Sequence, residues 1–168
     1  MTLETHKDIV RQLTGRCICG AIQYRLTSRP MFTHACHCRW CQRLSGGAFA
    51  INALIEADRV ELVEGHPEMV RIDSPSRAGQ DIACCPNCRV ALWSHYLRLG
   101  MTVYFVRAGT LDDPDKITPD LHVFTSSKQP WLTLPDGAAS VPELYPRKDY
   151  WPPDSYARLV AATGLESP

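Results

Sequence analysis

The stretch ACHCRWCQRLSGGAFA, residues 35–50, places three cysteines within six positions: Cys36, Cys38 and Cys41. Three is an awkward number. Disulfides consume thiols in pairs, and a closed structural zinc site takes four ligands. Zinc sites that keep a fourth position for water or substrate are held by three protein ligands. The trio therefore reads as an exchangeable metal site. The rival reading is a second closed site, completed by His34, His37 or Cys84.

The other five cysteines lie in two clusters, Cys17-Ile18-Cys19 and Cys84-Cys85-Pro86-Asn87-Cys88. The second contains a CPxC knuckle, a turn that puts two sulfurs on one ion and aims backbone N–H groups at them. Cys17 and Cys19 supply the other pair, so Cys17, Cys19, Cys85 and Cys88 form a closed structural zinc site. Such a site clamps the start of the chain to its middle across more than sixty residues, and metal binding then becomes folding energy. Cys84 is left over and reads as a buried apolar thiol. Arg89 follows the knuckle where glycine is common, so it must avoid positive φ or bear its cost. His37, between two ligands, is expected to face solvent. Trp40 is expected to pack into the core, and Ser45-Gly46-Gly47 reads as a tight loop beside the trio.

The setting supports metal over disulfides. The chain has 168 residues, is 45% hydrophobic, and balances eighteen basic against eighteen acidic residues. That size suits one domain with a real core. The zero net charge shows no basic excess of the kind that nucleic acid or an anionic membrane attracts. MTLETHKDIVRQLTG at the N-terminus carries no secretory pattern, and no window approaches a membrane span. The expected compartment is cytoplasmic, where thiols stay reduced.

The hydrophobic pattern predicts a mainly β chain. Strand-sized runs occur at AIQYRL (21–26), FAINALI (49–55), RVELV (59–63), MVRI (69–72), VALW (90–93), TVYFVRAG (102–109) and LHVF (121–124). Turn signals separate them at Glu64–Pro67, Ser74–Ser76, Asp112–Pro114 and Pro135–Gly137. Two short helices are expected. CRWCQRL (38–44) is one. DSYARLVAATG (154–164) is the other, with Asp154 as N-cap, Leu159 and Val160 docking it, and Gly164 as its stop. YPRKDYWPP (145–153) reads as an extended connector laid on the surface. These boundaries divide the chain into a zinc-binding domain, 1–144, and a C-terminal extension with a short helix, 145–168.

The same residues carry a resemblance. Gly15-Arg16-Cys17-x-Cys19-Gly20-Ala21-Ile22-x-Tyr24, Cys36-His37-Cys38-x2-Cys41-x2-Leu44-Ser45-Gly46-x2-Phe49 and Cys85-Pro86-x-Cys88 resemble the glutathione-dependent formaldehyde-activating enzyme family, which includes centromere protein V. Gly109–Pro114, His122-Val123-Phe124 and Lys128-x-Pro130-Trp131 look like that family too. The likeness runs from about residue 13 to about 140. It implies a β-tent fold of short antiparallel strands around two zincs. The structural ion would sit on Cys17, Cys19, Cys85 and Cys88, and the catalytic ion on Cys36, Cys38 and Cys41. It further implies a carbon–sulfur lyase-type reaction that joins glutathione and formaldehyde as S-hydroxymethylglutathione. The chain departs from the family pattern at Arg89 and Cys84. Arg39, Arg43 and Arg89 lie near the motifs, but their positions alone mark none of them as a glutathione contact.

Three functions compete on the sequence. One is a zinc enzyme acting on a small-molecule thiol such as glutathione and an aldehyde. The second is a non-catalytic zinc module that binds a protein partner. The third, a nucleic-acid zinc ribbon, is disfavoured by the charge balance.

Overall fold

A computed structural model describes residues 13–74 and 78–166. Among these residues ten strands make two sheets. β1 (Thr14–Arg16), β2 (Gln23–Leu26) and β5 (Val60–Glu64) form a three-stranded sheet in the order β1-β2-β5. The larger sheet has seven strands in the order β10-β3-β4-β9-β8-β7-β6. Its members are β3 (Phe32–Cys36), β4 (Ala50–Glu56), β6 (Glu68–Ile72), β7 (Gln80–Cys84), β8 (Ala91–Tyr96), β9 (Val103–Arg107) and β10 (Leu121–Val123). Pairing is antiparallel except between β10 and β3, which run parallel.

Side chains alternate across a strand, so the central strands β4 and β9 feed two cores, one on each face of the large sheet. On one face Tyr24 and Leu26 of the small sheet, with Ile22 just before β2, pack with Ala53, Ile55, Trp93 and Val106. Tyr24 meets Trp93 edge-on, and Trp93 stacks on Tyr104. On the other face Phe32, Leu54, Phe105 and Leu121 pack with Cys36 and Cys41 and with two residues of the tail, Trp151 and Leu159. The architecture is three layers: small sheet, large sheet, then helix and tail.

Among the described residues the α-helices are α1 (Arg39–Ser45), α2 (Arg147–Tyr150) and α3 (Pro153–Thr163). Seven predicted strand runs correspond to observed strands. β1, β3 and β7 were not expected. Each is short or broken by His, Gln or Asp and lacks a clean apolar alternation. Residues 145–153 are a correction: they are not an extended surface strip. Arg147–Tyr150 is helical, and Trp151 is 4% exposed. The Trp151 indole stacks on Phe32 while its Nε1 donates to the Tyr145 hydroxyl at 2.8 Å, so its polar atom is satisfied inside the core.

Helix α3 ends at Gly164, φ 67°, whose N–H bonds the Val160 carbonyl, as expected. Its N-cap is Pro152 rather than Asp154, because Pro153 takes the first helical position, where a missing N–H costs nothing. Leu159 is buried and Val160 half-buried. The turn expected at Ser74–Ser76 falls partly outside the described residues. Among the described residues no helix is long and apolar enough to cross a membrane.

Two candidate thiol metal centres

The first centre joins the two sheets. Cys17, Cys19, Cys85 and Cys88 bring four sulfurs within 4.8 Å of one another. Cys17 and Cys19 lie 3.5 Å apart, and Cys19 and Cys85 lie 3.6 Å apart. Sulfurs held 2.3 Å from a tetrahedral zinc stand about 3.8 Å from each other, so the donor set and spacing fit that ion.

Two similar turns build this centre. The Cys17 N–H donates to the Ile22 carbonyl, and the Cys85 N–H donates to the Val90 carbonyl. Within the first turn the Ile22 N–H points at the Cys17 sulfur, 3.3 Å away. The Cys19 and Val90 backbone contacts hold the Cys88 thiol down at about 6. Arg89 adopts φ 61° and bears the left-handed strain anticipated for it, with its N–H on the Cys85 carbonyl at 3.0 Å.

The second centre lies on the opposite face of the large sheet. Cys36 ends β3, Cys38 caps α1, and Cys41 sits in its first turn. Their sulfurs also fall within 4.8 Å of one another. The Cys38 sulfur accepts the Cys41 N–H at 3.3 Å, taking the place an N-cap Ser or Asp oxygen usually fills. Contacts from the Cys36 thiol, and then from Cys41, hold Cys38 well below the ordinary thiol range. The same contacts, with burial, push Cys36 up. Three sulfurs crowded this closely, with a backbone N–H on one of them, form a donor set that suits a soft metal cation.

Among the described residues no fourth His, Cys or carboxylate joins the trio. His34 is engaged elsewhere: its Nε2 is paired with the Tyr145 hydroxyl. His37 is a correction, since it is fully buried rather than solvent-facing. Its Nε2 meets His122 Nδ1 at 3.0 Å, and its carbonyl accepts from Gln42 Nε2 and Ser127 Oγ. His37 is therefore a brace between β3, α1 and the segment after β10. Cys84 is half-buried and outside both sulfur groups, and burial raises its thiol. Trp40 is half-buried and donates to Gln80 Oε1 at 3.3 Å.

Two polar residues of the trio's face went unnoticed in the sequence. Arg107, at the end of β9, donates to Asn52 Oδ1 on β4. The signal was present in VYFVR, where Val103, Phe105 and Arg107 share one side of a strand whose first two members are core. Arg89 pairs with Glu68 at the surface, and the exposed Arg39 donates to the buried Gln42.

A groove of about 530 Å³ borders the four-thiol centre, lined by Arg16, Cys19, Thr110 and Asp112 among others. Its neighbour is already complete in ligands, so the groove alone does not mark the chemistry.

The model of the glutathione-dependent formaldehyde-activating enzymes matches residues 12–127. The chain belongs to that family. A Halomonas elongata protein named provisionally for glutathione-dependent formaldehyde activation is 28% identical over 128 residues, covering 73% of this chain and 80% of its own length. A Rhodobacter sphaeroides protein of known crystal structure is 20% identical, with a TM-score of 0.47 over 64% of this chain and 92% of its own.

Proposed function

We propose that the chain is a zinc-dependent enzyme that joins the glutathione thiol to formaldehyde, giving S-hydroxymethylglutathione, a carbon–sulfur lyase-type reaction run toward bond formation. Cys17, Cys19, Cys85 and Cys88 are its structural ligands. Cys36, Cys38 and Cys41 are the ligands of its catalytic site. The observation that carries this reading is the trio itself: three sulfurs converge, and no fourth protein donor joins them among the described residues.

When bound there, zinc supplies a soft Lewis acid that favours a thiolate at neutral pH. The chain's own residues do the rest. Cys38 and Cys41 are locked by the first turn of α1, and Cys36 by the β3–β4 ladder. Gln42 and Ser127 tie the intervening loop to the segment after β10. The site is therefore pre-ordered, and holding thiol and aldehyde together supplies much of the rate. In the reaction the sulfur bonds to the carbonyl carbon, the π pair moves to oxygen, and oxygen gains the proton that sulfur gave up.

The test is formaldehyde consumption with and without glutathione, on protein of measured zinc content. Glutathione-dependent turnover above the spontaneous rate is the expected result. Zinc-replete protein without it leaves a non-catalytic zinc module.

A further inference from the structure

Residues His34, Asn52 and Arg107 form a polar row across three adjacent strands, next to the apolar residues Phe32, Leu54 and Phe105. Asn52 stands opposite His34 on β3 and opposite Arg107 on β9. The row is two residues along β3 from Cys36. His34 is consumed by Tyr145. Asn52 is buried, and its amide oxygen takes Arg107 Nη1.

Arg107 is different. It is half-buried, and among the described residues no Asp or Glu pairs with it. A guanidinium carries five N–H donors, and Asn52 takes one. With no carboxylate beside it and a planar fork of donors, Arg107 is chemically matched to an anionic oxygen from outside the fold. Arg107 lies on the face of the large sheet that carries Cys36: Asn52 links it across β4 to His34, two residues before Cys36 on the same strand.

We propose that Arg107, braced by Asn52, is the oxyanion-holding residue of the three-thiol site, donating its free N–H groups to the one-carbon oxygen of the thiol adduct. The assignment rests on the proposed function. As the C–S bond forms, the carbonyl π pair becomes charge on oxygen beside the sulfur, and a fixed fork in a partly dry site is worth most there. The oxygen then takes a proton from water, equal to the one released by the thiol. No electrons are gained or lost. Lys keeps the charge but lacks the planar fork.

The experiment uses Arg107→Met and Arg107→Lys proteins with zinc content and melting checked. Turnover is measured against each substrate, and formate serves as a one-carbon anion probe titrated by calorimetry without thiol. The expected result for Arg107→Met is unchanged zinc and a loss of about 100-fold in kcat. Its KM for glutathione should stay put, and formate binding should weaken by about tenfold or more. Arg107→Lys should fall between. Full kcat in Arg107→Met, or a change confined to the KM for glutathione, overturns the assignment. So does formate affinity equal in wild type and variant, or absent from both. Formate bound through Arg107 without any wild-type turnover keeps the anion site and removes the proposed function. If Arg107→Met does not fold, unchanged kcat and formate affinity in Arg107→Lys overturn the assignment.

Discussion

Phe32 and Trp151 stack with ring centroids 4.8 Å apart and planes 10° from parallel. One residue belongs to the strand that ends in Cys36, and the other to the tail. The tail is thus bound into the core that holds the trio, though it supplies no sulfur to either centre.

Trp151→Ala should cost about 3–5 kcal/mol, the usual penalty for emptying a buried aromatic site. Zinc content should not change, because every ligand lies outside the tail. Thermal melts beside elemental analysis check both halves. Deleting 145–168 should act in the same direction; loss of metal on that deletion would refute the separation.

Cys85→Ser and Cys38→Ser should differ. Cys85 serves a centre that ties residues 66 positions apart, so its loss should remove several kcal/mol of folding energy. Cys38 serves a local centre spanning six residues. Cys38→Ser should stay folded, lose one zinc and lose thiol-dependent turnover. Unfolding as severe as in Cys85→Ser would make the trio structural. Full activity in a folded Cys38→Ser would move the chemistry elsewhere.

Arg89→Gly should stabilise the protein by about 0.5–1 kcal/mol, since glycine removes left-handed strain but adds freedom to the unfolded chain. Its ion pair with Glu68 is exposed and weighs little. A shift in denaturant midpoint at constant slope reads this out, and a destabilised variant would contradict it.

Glu56 ends β4 and meets Arg158 of α3 at 2.8 and 2.6 Å. Burial raises its carboxyl, but the Arg158 contacts outweigh that and hold it below the usual glutamate range. A lowered folded value gives stability that is present above the unfolded value of about 4.3 and is lost as pH falls through the folded one. Wild type should therefore melt above Glu56→Gln at neutral pH, and the gap should close below about pH 4. A gap independent of pH would assign the difference to packing.

Much of this protein was legible in its sequence. Seven strands followed from local pattern: AIQYRL alternates apolar and polar residues, and the other six are short runs rich in β-branched and aromatic residues between turn signals. The 4 + 3 division of seven cysteines followed from short spacings within each cluster together with ligand count: two pairs make a closed set of four, and a trio is left. Gly164 as the end of α3 was equally local.

Other features depended on what lies across space. β3 and β7 are strands because neighbours pair with them; His34 and Gln80 make poor strand signals alone. His37 is buried because His122, 85 residues later, arrives beside it on β10. Trp151 looked like surface until Phe32 was found beneath it. Arg107 sat in plain view inside VYFVR, but only the pairing of β9 with β4 set it against Asn52 on the trio's face. Ligand spacing and periodicity are properties of neighbouring residues, so the chain alone carries them. Burial and the partner of a charge belong to the packed sheet, and tertiary structure decides those.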